Sequence, residues 1–316
     1  MIASSGQALL MLQKRFPDLR FIELPSYRVR YRFRDPVFNF LWMSPWVLWA
    51  VWKERQIVRR VVREYGVNLV ISDNRLGCYT KKVPSVYMTH QLQFAFRQKW
   101  LSKLAAFLHL LWYKNYDEVW IPDNEHEPKI AGELSQPRFK GQYRYLGPLS
   151  QLSKLEEGIT FQAMVILSGP EPSRTNLEYK LVEQLKAKEG KYLIVRGLPQ
   201  LSETPWQEDG LQFYNFMGPE QLSTAIAQTA LVICRSGYSS IMDLMFLGKS
   251  AILIPTPGQP EQEYLARYHQ ETPGFRSQKQ ATLDLKSDLK AEHFPVSQRQ
   301  VKHNLPEVAQ WIDDLC

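Results

Sequence analysis

The sequence predicts an α/β chain of two domains, each built on a parallel sheet, with a ligand cleft between them. Three observations predict it. The chain has 316 residues, 44% apolar and 22% charged, enough for two cores of ordinary size. Short β-branched or aromatic runs recur along its whole length, separated by stretches with helical spacing. The series pauses once, in the polar stretch QLSKLEEG at 151–158, and then resumes.

Taken in order, FIEL (21–24), NLVIS (68–72), SVYMT (85–89), EVWIP (118–122) and YRYLG (143–147) read as strands of an N-terminal domain over residues 1–150. A linker at 151–160 follows. AMVILSG (163–169), YLIVRG (192–197), LQFYNF (211–216), LVICRSG (231–237) and AILIP (251–255) then mark a second domain over 161–304. Val308, Trp311, Ile312 and Leu315 are spaced for a terminal helix at 305–316 that can pack back across the domain boundary. No internal repeat or low-complexity tract interrupts this plan. An open α/β domain ordinarily begins with a buried strand and a glycine-containing turn, whereas this chain opens at what reads as a second strand, IASS. The N-terminal domain is therefore expected to lack its first βα unit, with Met1 a late start.

Composition narrows the setting. Cys78, Cys234 and Cys316 are odd in number and outside any CxxC or Cys/His spacing, which argues against a disulfide framework or a zinc site. MIASSGQALL has no secretory pattern, so a cytoplasmic protein is expected. The net charge of +7 is uneven: residues 1–150 hold 23 Lys and Arg against 12 Asp and Glu, and the remainder 16 against 20. Seven of the nine tryptophans also lie in the first 120 residues. This half is expected to face an anionic surface. Residues 36–65 are apolar at the start and basic at the end, with Trp42, Trp46, Trp49 and Trp52 on one helical face, as in interfacial membrane helices. The stretch is too short and too interrupted by proline to span a bilayer, and burial against the sheet is the alternative. Residues 96–114 repeat the mixture of aromatics and cations, which favours peripheral contact with the inner face of the membrane. No nucleic-acid module accompanies the charge, so a nucleic-acid partner is not expected.

The chemistry concentrates between Leu231 and Ala266. A buried strand ends at Cys234, Arg235-Ser236-Gly237 makes a turn, a helix runs from about Ser239 to Leu247, and Gly248 ends it before AILIP. A glycine at 237 lets a phosphate approach the backbone N–H groups and positive dipole end of the helix. The hydroxyls of Ser236, Ser239 and Ser240 can add bonds, and Asp243, one turn on, can accept two hydrogen bonds from a ribose diol. The structural alternative is a serine-capped helix with an ordinary first-turn acid. PTPGQPEQEY then places Glu261 and Gln262 at a helix start beyond the carboxyl end of the next strand, where α/β domains bind ligands.

The runs RSGYSSIMDL, LGKSAILIP and PGQPEQEYLA resemble the C-terminal donor domain of family 28 glycosyltransferases, which have the GT-B fold of two Rossmann-like domains. The threonine of the family pattern is Ser240 here, its glutamate is Asp243, the proline of LGxP is Ser250, and the first of its paired glutamines is Glu261 with Gln262 second. The resemblance implies that Ser236 and Gly237 meet a diphosphate, Asp243 the ribose, and Glu261 and Gln262 the sugar hydroxyls. It implies transfer of a hexose or N-acetylhexosamine, with UDP-N-acetylglucosamine favoured, to a lipid-linked or glycan acceptor. A non-catalytic or truncated nucleotide-sugar-binding protein and a UDP-sugar epimerase are the alternatives. No Asp-x-Asp motif sits at a strand end, so no metal or other cofactor is expected, with Arg235 or Arg174 neutralising the diphosphate. Ser168, Gly169 and Arg174 follow the first strand of this domain, and Phe216 and Met217 stand where relatives grip uracil. In the N-terminal half, Asp73 and His90 follow strands and are candidates for the base on the acceptor hydroxyl, against the alternatives of turn chemistry and a structural histidine. The GxGH-type loop of related enzymes has no counterpart.

Overall fold

A computed structural model describes residues 1–27, 36–96, 98–202, 204–285 and 305–316. Strands β7 (Phe161–Ile166), β8 (Tyr192–Val195), β9 (Trp206–Glu208), β10 (Leu211–Tyr214), β11 (Thr229–Cys234), β12 (Ala251–Leu253) and β13 (Phe275–Ser277) form one sheet in the order β13-β12-β11-β7-β8-β10-β9. All neighbours are parallel except the β10–β9 pair. Leaving that edge strand aside, the strands succeed one another as 3-2-1-4-5-6, a doubly wound sheet whose order reverses between β7 and β11.

Helices cover both faces, so the central strands have no polar face. Along β7, Ala163 and Val165 point to one core while Met164 points to the other. Leu231 and Ile233 of β11 likewise oppose Val232 and Cys234. Helix α6 (Tyr238–Leu247) ends on Gly248 at φ 72°, a left-handed position that glycine occupies without penalty and whose N–H caps Leu244 and Met245 carbonyls. The strand Trp206–Glu208 lies outside the expected runs. It folds back through Asp209 and Gly210, both at positive φ, and Trp206 stacks on Phe213 at 5.0 Å.

In the N-terminal half, β3 (Val70–Asp73), β4 (Ser85–Met88), β5 (Glu118–Ile121) and β6 (Tyr143–Tyr145) form a parallel sheet in chain order. The expected strand at 68–72 thus begins and ends slightly later. Among the described residues, strands β1 (Ile2–Ser4) and β2 (Phe21–Glu23) pair only with each other, joined by α1 (Gly6–Arg15). A polar node links the two sheets. Arg75, after β3, donates to Ser5 Oγ, Pro25 O and the buried Glu54 of α2 (Pro36–Tyr65), while Glu54 also accepts from Tyr27 and from Gly77 N. Helix α8 (Leu305–Leu315) lays Val308, Trp311, Ile312 and Leu315 against Val86, Trp120 and Leu146 of the N-terminal half.

Candidate functional site

At the reversal of strand order the loops leaving β7 and β11 lie side by side. Arg235, the first residue after β11, is 1% exposed. One terminal nitrogen donates to the carbonyls of Ile254 and Pro255, and the other to Ser173 O at 2.9 Å and Ser173 Oγ at 3.0 Å. Among the described residues no carboxylate pairs with it, and burial pulls its pKa down to about 10. Its Nε is without a hydrogen-bond partner, as is the buried Oγ1 of Thr256. Gly169, at φ +100°, stands over both atoms: a Cβ placed there lies 3.5 Å from Thr256 Oγ1 and 4.0 Å from Arg235 Nε. The missing side chain leaves a notch floored by an uncompensated cation and an unpaired hydroxyl.

The N-terminus of α6 opens beside it. Gly237 is the N-cap, and a Cβ added there meets nothing within 4 Å, so the space beside the N-cap is open. Neither Ser239, which is exposed, nor Ser240, half-buried, caps the helix. The serine-cap alternative therefore does not describe this turn. Ser236 is buried and donates to Gln262 O at 2.8 Å. Gln262 Oε1 accepts from Thr256 N at 2.8 Å, which folds the loop over α7 (Pro260–Tyr268). Asp243 accepts from Ser150 Oγ at 2.6 Å; burial raises its pKa and the Ser150 bond opposes the rise. Ser150 belongs to the segment between the two sheets, so the carboxylate is already engaged across the boundary.

One expectation needs correction. Arg174 does not point to the notch: it is buried on α4 (Ser173–Lys186), with Nε on Glu171 at 2.7 Å and a terminal nitrogen on Glu178 at 2.6 Å. Two carboxylates already compensate its charge, so it ties down the first turns of α4 and offers nothing to a diphosphate. Met217 packs in the domain core, and Phe216, half-buried beside it, leaves β10 at its carboxyl end. Ser168 is exposed beside Gly169 at the notch.

The carboxyl edge of the N-terminal sheet supplies the other wall. His90 follows β4, and its Nε2 lies 3.1 Å from Glu261 Oε1 at the start of α7. The imidazole also stacks on Tyr238, the first residue of α6, with centroids 4.0 Å apart and planes within 6°. Asp73 ends β3 with its side chain exposed; loss of part of its hydration raises its pKa, and nearby His90 opposes the rise. The walls are joined by Tyr264 OH accepting from Glu133 N at 2.8 Å, by Tyr268 OH donating to Glu127, and by buried His269 donating to Ile130 O at 2.7 Å. Sequence reasoning missed Thr256, Tyr238 and Ser150. Only the position of Tyr238 directly after RSG gave a usable signal.

Residues 163–293 match the glycosyltransferase family 28 C-terminal domain. The chain carries a family 28 domain. Around it the fold is GT-B: Acinetobacter baumannii MurG superposes with a TM-score of 0.56 at 13% identity, covering 99% of this chain and 90% of that one. SnogD from Streptomyces nogalater gives 0.57 at 10% identity over 99% and 94%. UGT2 from Phytolacca americana, solved with UDP-2-fluoroglucose and pterostilbene, gives 0.58 at 13% over 98% and 84%. In sequence, 52 residues are 40% identical to the UDP-N-acetylglucosamine–N-acetylmuramyl-(pentapeptide) pyrophosphoryl-undecaprenol N-acetylglucosamine transferase of Magnetococcus marinus. That stretch is 16% of this chain and 14% of the relative. The family 28 domain contains the notch, α6 and α7; the wall bearing Asp73 and His90 lies outside it.

Proposed function

We propose that the chain transfers a hexose or N-acetylhexosamine from a UDP-sugar to a hydroxyl of a lipid-linked or glycan acceptor, without a metal. The observation that carries this reading is the guanidinium of Arg235, fully buried with no carboxylate partner among the described residues and with Nε unsatisfied. A buried cation is stable when something anionic completes it. A diphosphate seated over Gly169 supplies that charge, accepts from Arg235 Nε and Thr256 Oγ1, and approaches the N-terminus of α6. Ribose then falls one turn along α6 at Asp243, whose Ser150 bond gives way to the diol. UDP-N-acetylglucosamine and a lipid-linked acceptor are favoured by the activity of the Magnetococcus marinus relative. A peripheral position at an anionic membrane fits the basic, aromatic N-terminal half, and no helix among the described residues is long and apolar enough to cross a bilayer.

Calorimetry with UDP, with and without EDTA, tests the donor site. Binding is expected to be indifferent to EDTA, and Arg235→Met is expected to weaken it roughly tenfold to a hundredfold, the scale of a charge-assisted bond. Thr256→Val, which keeps the shape of the side chain, is expected to weaken it by a smaller factor. Unchanged affinity in both variants removes the diphosphate from the notch, and strict dependence on Mg²⁺ removes the metal-free part. Incubation with labelled UDP-sugars then separates transfer to a lipid acceptor from epimerised sugar or from binding alone.

A further inference from the structure

The contact between His90 and Glu261 joins the two walls of the cleft, and its chemistry is asymmetric. An ionised carboxylate only accepts hydrogen bonds, so the 3.1 Å contact puts the proton of a neutral imidazole on Nε2. The lone pair is then on Nδ1, and the Glu261 contact is the one hydrogen bond of the ring among the described residues. The ring cannot easily swing away, because its face lies 4.0 Å from that of Tyr238, and Tyr238 is held in the core of the family 28 domain. Asp73 stands close enough to His90 to feel its charge. Nowhere else among the described residues does a partly exposed histidine have one nitrogen engaged by a carboxylate, the other free, and the ring plane fixed. His109 and His269 are buried and belong to aromatic packing and the interface.

We infer that Glu261 and Tyr238 are positioning residues for His90, fixing its tautomer from the opposite domain so that Nδ1 takes the proton of the acceptor hydroxyl. This rests on the proposed function and departs from what the resemblance implied, which was that Glu261 meets the sugar hydroxyls. In the step, the acceptor oxygen bonds to the anomeric carbon while its proton moves to Nδ1. The bond from the anomeric carbon to the diphosphate oxygen breaks, and its electron pair leaves on UDP. The imidazolium so formed keeps its bond to the carboxylate of Glu261, which stabilises it. The glutamate standing where the family pattern has glutamine acquires a physical reason: a glutamine presents either its oxygen or its amide to Nε2 and leaves the tautomer unfixed, whereas a carboxylate does not.

The test has two arms on the full chain. Nitrogen-detected NMR of the side-chain imidazoles, with His90 assigned by His90→Gln, is expected to show the Nε2–H tautomer in the donor-free protein and a mixture in Glu261→Leu. The second arm is turnover of UDP-N-acetylglucosamine. Glu261→Gln is expected to lower kcat at least tenfold with KM changed less than twofold and UDP affinity unchanged. Tyr238→Phe is expected to retain the turnover that Tyr238→Leu loses. A rise in KM with kcat preserved in Glu261→Gln returns Glu261 to the sugar and overturns the inference, as does an Nδ1–H tautomer in the wild type. If UDP neither binds nor is released, the proposed function falls, while the tautomer still decides whether the pair is built as described.

Discussion

In the C-terminal half seven strands share one hydrogen-bonded ladder, whereas in the N-terminal half β1–β2 and β3–β6 have no ladder between them among the described residues. The first arrangement is held by backbone pairing and by apolar side chains on both faces of the sheet. In the second, a side-chain node does part of that work: Arg75 and Glu54 carry bonds from both sheets and from α2 at once. The comparison teaches where each half is vulnerable. A ladder loses little when one side chain changes, but a buried ionic node fails when either partner is removed, because the other is left charged and unpaired.

The largest expected effect follows from that asymmetry. Glu54 is fully buried, and burial raises its pKa against the bonds from Tyr27 and Arg75. Glu54→Ala is expected to destabilise the N-terminal half by about 3–5 kcal/mol. Tryptophan fluorescence during urea unfolding reports this half, since seven of the nine tryptophans lie in it. UDP affinity, set in the other half, is expected to stay within twofold. Loss of UDP binding in parallel with the fluorescence change breaks the comparison and shows one cooperative unit.

The difference between the halves also explains what could be read from the sequence. The family 28 domain was legible because its central strands are buried on both faces and therefore appear as unbroken apolar runs such as LVIC and AILI. Gly237 and Gly248 could be placed because an open N-cap and a left-handed C-cap are local requirements. Arg174 misled, since a basic residue near a phosphate loop looks the same in sequence whether or not Glu171 and Glu178 have already claimed it. Thr256 could not be found at all: its meaning depends on Gly169 and Arg235, 87 and 21 positions away in sequence, and on an unmade bond. The pairing of His90 with Glu261 spans 171 positions and was equally invisible.

The interface between the halves gives the next effect. His269 is fully buried, with Nε2 on Ile130 O and Nδ1 3.2 Å from Thr272 Oγ1, and burial lowers its pKa to about 4 despite the bond to Ile130. A folded pKa below the unfolded value of about 6.5 means that the unfolded chain takes up the proton first. Stability is therefore intact above about pH 6.5 and falls as pH drops toward 4, by up to about 3 kcal/mol from this group. His269→Gln is expected to be less stable at neutral pH and to lose less on going to pH 5. Urea unfolding of both proteins at pH 7 and pH 5 measures the difference. Equal losses show that acid acts elsewhere, with His109, also lowered to about 4, the first place to look.

The smallest effect concerns the surfaces. Among the large apolar side chains that are strongly exposed in the described residues, only Tyr179 and Leu201 lie in the C-terminal sheet domain, whereas Trp42, Trp46, Trp49 and Trp52 line α2. On α3 (Lys99–Tyr113), Trp100, Leu104, Phe107 and Leu111 repeat at helical spacing on the exposed face, while Leu101, Ala106, His109 and Tyr113 face the core. Lys99, Lys103 and Lys114 are exposed beside that stripe. An apolar row bordered by cations suits an interface in which the row enters the acyl boundary and the ammonium groups meet anionic headgroups. Exchanging Trp100 for Glu removes one such contact and adds a repelled charge. Sedimentation with phosphatidylglycerol vesicles is expected to show roughly tenfold weaker partitioning for Trp100→Glu, about 1.4 kcal/mol, with no change in urea midpoint because the side chain is exposed. Partitioning of the wild type should itself weaken at high salt. If the variant binds vesicles as the wild type does, but loses self-association in light scattering, the stripe serves a second copy of the chain instead of a membrane, and the contrast between the halves becomes one of oligomer contacts.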